Sequence, residues 1–181
     1  MKSREKLARA AEVVAFLFAS FGGFLKGIAP PEDAAKGFSV GIASMLALCL
    51  LLLISTQAKT KASAKIRGFW ARGAAALTLT AAAAALIYAH NLHSLSFAYP
   101  PDNPDSEYIA GTEYTPEAQS LAAREHLDAA ELVAQFGGLP DRHLVWSESS
   151  IEKARIILLV NYLLLVLSLA GAIFSLIETQ T

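Results

Sequence analysis

Charged residues divide this chain into long uncharged runs, and these runs predict helices that cross a membrane. A run of 22 uncharged residues separates Lys36 from Lys59, and another 22 separate Arg155 from Glu178. Each run is long enough for an α-helix to cross a hydrocarbon core, which takes roughly 20 apolar residues. The alanine-rich stretch from Gly73 to Ala89 predicts a further span.

The first apolar stretch, Val13 to Leu25, has only 13 residues. It spans a bilayer if Arg9 and Lys26 extend their charged ends toward the headgroups. Its basic start is also typical of a secretory signal, but the sequence Gly27-Ile28-Ala29 runs directly into two prolines and offers no convincing cleavage site. We therefore predict an all-α membrane protein with four transmembrane helices and a small helical extracytoplasmic segment between spans three and four.

Lysine and arginine predict the orientation of these helices. Residues 91–150 hold ten acidic residues against only Arg124 and Arg142, whereas basic residues concentrate in the N-terminal arm and after span two. Positive charge favours the cytoplasmic side. Together with the alanine-rich sequence, this predicts a bacterial inner-membrane protein with both termini in the cytoplasm. Three helices then lie in 1–90, a periplasmic segment in 91–150, and the fourth helix with a short cytoplasmic tail in 151–181.

Composition supports the membrane class. Apolar residues make up 54% and charged residues 17% of the chain, against roughly 25% charged in soluble proteins. The net charge of −1 conceals a basic first part and an acidic remainder. This excludes a soluble enzyme, a nucleic-acid module and a disordered tail, and no direct binding to nucleic acid is expected.

Within the periplasmic segment, the sequence predicts one helix from about residue 116 to 136. Thr115 is a typical N-cap, Pro116 suits the first helical position, and Gly137-Gly138 is a typical C-terminal stop. A second start signal, Ser149-Ser150-Ile151-Glu152, has the spacing of a capping box and predicts where span four begins.

Candidate chemistry is sparse. His90 and His93 are three residues apart, so on a helix they share a face and are weak candidates for a metal site. The alternative is that they are polar residues at the end of a helix. The sequence contains no nucleotide-binding, nucleophile or zinc-protease motif, so we predict no catalytic residues and no cofactor.

Small residues predict close helix packing and, in so small a protein, a homo-oligomer. Packing within one chain is the alternative. The candidate packing residues are Gly22, Gly23, Ser168, Gly171 and Ser175.

A basic stretch after span two predicts docking to anionic membrane lipid or to a cytoplasmic protein partner. Its candidate residues are Lys59, Lys61, Lys65, Arg67 and Arg72.

These observations favour a non-enzymatic, oligomeric inner-membrane protein that acts as a sensor, scaffold or pore subunit with a cytoplasmic partner. Small four-span proteins of bacterial stress or defence systems share this layout, which is an analogy without motif support. The alternative is a small transporter or metal-handling membrane protein that uses the outer-face histidines. An integral-membrane enzyme is the least favoured class.

Overall fold

The computed structural model describes residues 25–57, 64–100 and 106–180, and in the N-terminal segment residues 8, 11–12, 15, 19 and 22–23. The elements are α1 (Asp33–Gln57), α2 (Ala64–Leu95), β1 (Ser96–Ala98), β2 (Glu107–Ile109), α3 (Pro116–Glu125), α4 (Ala129–Gln135), a 3₁₀ helix (Leu139–Leu144) and α5 (Glu148–Gln180). The fold is mostly helical, and three helices (α1, α2 and α5) are long and apolar enough to cross a membrane. Most of the predicted first span, Val13 to Leu25, lies outside the described residues.

The chain forms two compact units. The first, which we call the helical unit, comprises Met1–Ala29, Lys36–Tyr88 and Asn161–Thr181. The second, which we call the hairpin unit, comprises Pro30–Ala35 and Ala89–Val160. The predicted periplasmic segment therefore shares its unit with the short connection before α1 and with the first turns of α5.

Helix packing in the helical unit follows a repeat of about four residues. Along α1, the buried side chains are Ser39, Ala43, Ala47 and Leu51, which share one helical face. Three of these four are small, so neighbouring backbones can approach closely. At one end of this face, Leu51 packs in a cluster with Phe174 of α5 and Trp70 of α2.

Two tyrosines in the helical unit bind the end of the N-terminal segment. Tyr162 of α5 donates a hydrogen bond to the carbonyl of Leu25 over 3.1 Å, and Tyr88 of α2 donates one to the carbonyl of Ile28. The chain leaves helical conformation at Ile28, where the last carbonyls have no partner within the helix. The tyrosine hydroxyls supply that partner.

The hairpin unit contains a short antiparallel sheet that the sequence analysis did not predict. Strands β1 and β2 pair Ser96 with Ile109 and Phe97 with Tyr108. Phe97 lies 5.2 Å, centroid to centroid, from the ring of Trp146, which is buried. Gly111 is required beside this ring, because a Cβ there would lie 2.5 Å from the Cβ of Trp146.

The single helix predicted for residues 116–136 is wrong, because the structure has α3 and α4 instead. The break follows from His126, which is left-handed at φ 56°, and from Asp128, which caps α4. Asp128 Oδ1 accepts from the Glu131 amide, and Glu131 Oε2 accepts from the Asp128 amide, both over 2.9 Å. This capping box starts a new helix. The predicted Thr115 cap and Pro116 start are confirmed.

The predicted start of span four is also corrected. Helix α5 begins at Glu148, and the Ser150 amide donates to the hydroxyl of Ser147 over 3.3 Å. The Ser150 hydroxyl instead accepts from the Glu113 amide over 2.9 Å and donates to the Glu113 carbonyl over 3.2 Å. Ser150 therefore links α5 to the connection between β2 and α3. The predicted capping box is corrected because its cap residue, Ser149, lies inside α5.

Candidate functional site

Glu32 lies at the centre of a charge cluster in the hairpin unit. It follows Pro30 and Pro31, both buried, and directly precedes α1. Its backbone is left-handed, with φ 75°, a conformation that costs a residue with a Cβ roughly 1 kcal/mol. Strained backbone of this kind persists where surrounding contacts hold it.

Two arginines hold the Glu32 carboxylate. Arg142 Nη1 donates to Oε1 over 2.7 Å, and Arg155 Nη2 donates to Oε2 over 3.0 Å. The side chains of Glu32, Arg142 and Arg155 are 20%, 23% and 38% exposed. Both carboxylate oxygens are therefore used, in a partly desolvated setting where charge-assisted hydrogen bonds are stronger than at an open surface.

Local structure places each arginine. Arg142 lies in the 3₁₀ helix, and its carbonyl accepts hydrogen bonds from the amides of Val145 and Trp146, both over 3.0 Å. Because Val145 and Trp146 are buried, Arg142 is fixed next to the core of the unit. Arg155 lies on α5 and also donates to Glu152, one helical turn earlier, over 2.8 Å.

A cleft of about 300 Å³ lies beside the two arginines, between the 3₁₀ helix and the start of α5. Its charged lining residues are Arg142, Arg155, Glu148 and Glu152, and it also contains His143. Leu139 and Ile151 supply apolar walls. The cleft therefore presents cationic and anionic groups together, at a volume within the lower range of small-ligand sites.

Tyr114 borders the aromatic core of the same unit. Its ring stacks on Trp146 with centroids 5.6 Å apart and an interplanar angle of 24°. Burial, and secondarily the negative charge of Asp128, raises the pKa of the Tyr114 hydroxyl above its ordinary value of 10.0.

The histidines proposed as metal ligands lie at the end of α2 and are both exposed. His93 lines a second cleft, of about 390 Å³, which also contains Glu107. Among the residues that the structure describes, no group of three or more His, Cys, Asp or Glu side chains is placed to hold a metal ion.

The small residues of α5 are occupied within the chain. A Cβ on Gly171 would lie 3.1 Å from Cδ1 of Leu77 on α2, and one on Gly73 would lie 3.9 Å from the Ser175 hydroxyl. Ser168 and Ser175 are buried. Gly171 and Ser175 therefore lie where α5 packs against α2 of the same chain, and the Ser168 hydroxyl donates to the carbonyl of Leu164 on its own helix over 2.7 Å. The role of these residues in a homo-oligomer stays a prediction.

Gly22 and Gly23 differ from the α5 residues. A Cβ at either glycine would meet no atom within 4 Å in the described part of the chain. Packing of a second copy against Gly22 and Gly23 stays a prediction.

The basic stretch is only partly described. Lys59 and Lys61 lie outside the described residues, and Lys65 is described as helical backbone only. Arg67 and Arg72 are exposed on the first turns of α2. Their proposed docking to lipid or to a protein partner stays a prediction.

Sequence reasoning did not single out Glu32, Arg142 and Arg155 as a site. One signal was available, since Arg142 is one of only two basic residues in the acidic segment 91–150. An isolated cation in such a segment favours a specific acidic partner. Its partner lies 110 residues away in sequence, and no spacing pattern connects the two.

Comparison with known proteins adds no assignment. No protein-family model, no curated protein and no solved structure matches this chain. The fold defines a mostly helical protein in which, among the described residues, three helices are long and apolar enough to cross a membrane.

Proposed function

We propose that this chain is a non-enzymatic, oligomeric subunit of a bacterial inner membrane, acting as a sensor or scaffold with a cytoplasmic partner. It crosses the membrane four times, with both termini in the cytoplasm and the hairpin unit in the periplasm. The observation that carries this proposal is the binding of Glu32 by Arg142 and Arg155.

The Glu32 cluster supports the topology. Two candidate spans, α1 and α2, lie between Glu32 and the strand that begins at Ser96. A chain that crosses a bilayer twice returns to the side from which it started. The ion pairs of Glu32 with Arg142 and Arg155 are consistent with that return.

The same cluster supports a sensor or scaffold role. Glu32 directly precedes α1, and Arg155 lies on α5, so the cluster joins residues at the beginning of one candidate span and in the first turns of another. An event in the hairpin unit that separates Glu32 from its arginines would release a restraint on both helices. Conformational switching of this kind needs an element with two arrangements that a ligand or partner can bias.

Topology is tested first. In a Cys49→Ala variant, single cysteines replace Lys2 or Asp105, and intact cells are treated with an impermeant thiol reagent. We expect labelling at position 105 and none at position 2. The opposite pattern contradicts the orientation.

The partner is tested by photo-cross-linking in intact cells. A photoreactive amino acid replaces Arg67 at the basic start of α2, and a matched control carries it at Leu86, an exposed apolar position on the same helix. We expect a protein adduct from position 67 only, and a changed yield when Glu32→Gln is added. Adducts restricted to lipid, or a protein adduct that is indifferent to Glu32→Gln, count against the partner-coupled sensor.

A further inference from the structure

We propose that the cleft beside Arg142 and Arg155 binds a phosphoethanolamine group, as carried by the headgroup of phosphatidylethanolamine. The inference depends on α5 crossing a membrane and on no other part of the proposed function. It begins from the position of Arg155, which immediately precedes the 22 uncharged residues of α5. A side chain at that point of a spanning helix lies at headgroup level.

The charges of the cleft favour a zwitterion over a simple anion. Two arginines, Arg142 and Arg155, and two glutamates, Glu148 and Glu152, line it. A free anion would be attracted by the arginines and repelled by the glutamates, whereas a free cation would be attracted by the glutamates and repelled by the arginines. A ligand that carries both charges a few ångströms apart satisfies both sets.

Hydrogen-bond donors remain available for the phosphate. A guanidinium has five N–H donors, and Glu32 takes one from Arg142 through Nη1 among the described residues. Arginine binds phosphate oxygens with paired N–H groups, and fixed orientation raises the strength of that contact. Glu32 acts as a positioning residue, because its two carboxylate oxygens hold both guanidiniums beside the cleft.

The choice of a primary ammonium follows from the other lining side chains. Carboxylates of Glu148 and Glu152 accept hydrogen bonds, which a primary ammonium donates and a quaternary ammonium does not. Quaternary ammonium groups are recognised by aromatic rings, and no Phe, Tyr or Trp is among the described residues that line this cleft. The apolar side chains Leu139 and Ile151 then contact the carbon atoms of the headgroup.

The experiment uses the full chain in nanodiscs that contain equal amounts of phosphatidylethanolamine, phosphatidylglycerol and phosphatidylcholine. Native mass spectrometry measures which lipid stays bound after the disc is removed. We expect phosphatidylethanolamine to be retained preferentially, and Glu148→Gln to reduce its retention about threefold, the size of one partly exposed charge contact. Glu117→Gln, an exposed glutamate of the same unit outside the cleft, is the matched control and should change nothing.

The remaining outcomes decide against the proposal. Preferential retention of phosphatidylglycerol would show that the cleft is a simple anion site. Retention of phosphatidylcholine equal to that of phosphatidylethanolamine would show that the cleft does not recognise the primary ammonium. Stabilisation of the detergent-solubilised protein by soluble phosphoethanolamine, without a lipid preference in nanodiscs, would assign the cleft to a soluble ligand instead of a lipid. A chain that cannot be reconstituted in nanodiscs would contradict the membrane proposal itself, which separates the two failures.

Discussion

Removing the Glu32 carboxylate tests whether the ion cluster holds the hairpin unit together. Glu32→Ala leaves Arg142 and Arg155 without their shared partner. A hydrogen bond between charged groups contributes about 1.5–3 kcal/mol when it is shielded, and an exposed pair at most about 1 kcal/mol. Because Arg142 is mostly buried, its contact with Glu32 should contribute a free energy near the lower end of the first range. Arg155 is 38% exposed and still has Glu152 as a partner when Glu32 is removed, so its contact with Glu32 falls in the second range.

The expected loss for Glu32→Ala is therefore about 2 kcal/mol, on the scale of one shielded and one exposed contact. Glu32→Gly loses the same contacts but removes the cost of a left-handed residue with a Cβ, which is about 1 kcal/mol. Glycine should thus be less destabilising than alanine at this position. This reversal of the usual preference for alanine would report the φ of 75° directly.

Fluorescence of Trp146 provides the assay. A Trp70→Phe background leaves Trp146 as the single tryptophan, and its buried ring reports unfolding of the hairpin unit. In nanodiscs, a loss of about 2 kcal/mol corresponds to a fall in Tm of about 4–8 °C for a protein of this size. Glu113→Gln is the control, because the Glu113–Lys153 pair is 3.9 Å apart and both side chains are more than 60% exposed.

Two results would refute this reasoning. If Glu32→Ala shifts Tm no more than Glu113→Gln does, the cluster contributes nothing to the fold. If Glu32→Gly is as destabilising as Glu32→Ala or more so, the left-handed backbone at Glu32 is not a source of strain.

Three further predictions concern packing, the histidines and pH. Gly171→Leu should lower the stability of the chain by about 1–3 kcal/mol through overpacking against Leu77, with partial recovery in Gly171→Leu/Leu77→Ala; loss of oligomers on native gels at unchanged stability would contradict this. Replacing His90 and His93 by Gln should leave the metal content and the assembly of purified protein unchanged, and loss of a stoichiometric metal would favour the metal-handling alternative. Tyr114 should ionise above pH 10, as measured by ultraviolet titration of the protein and of its Tyr114→Phe variant. Because the pKa of Tyr114 is raised in the folded state, its contribution to stability is complete below about pH 10 and is lost as the pH rises through the folded pKa. Ionisation of Tyr114 at or below pH 10 would contradict that assignment.

The long helices were predictable because hydrocarbon thickness sets a length that the sequence must supply. The runs between Lys36 and Lys59 and between Arg155 and Glu178 contain no proline and no charged residue. The ends of the helices and strands were harder to predict. Asp128 and Glu131 have the spacing of a capping box, but the apolar positions that continue past them favoured one uninterrupted helix. Strands of three residues, such as β1, are too short to display an alternating pattern.

The ion cluster and the aromatic core were not predictable for a different reason. A salt bridge that joins residues 32 and 142 leaves no periodic signal, since it depends on the folded path of the chain rather than on spacing. Trp146 illustrates the same limit. Its ring is buried between those of Phe97 and Tyr114, and because both partners are distant in sequence, no local pattern indicates these contacts.

Small residues in an apolar helix indicate that another backbone comes close, and they do not indicate to which chain that backbone belongs. Leu77 would lie 3.1 Å from a Cβ added at Gly171, so for this face of α5 the neighbouring helix is α2 of the same chain. It also narrows the search for an oligomer interface, because substitutions on that face affect folding and association together. For Gly22 and Gly23, an added Cβ would meet no atom within 4 Å among the described residues, so these two positions remain candidates for contact with a second copy. A bulky residue at Gly22 that leaves stability unchanged but reduces the oligomer would place the interface on the N-terminal segment, whereas an unaffected oligomer would exclude Gly22 from it.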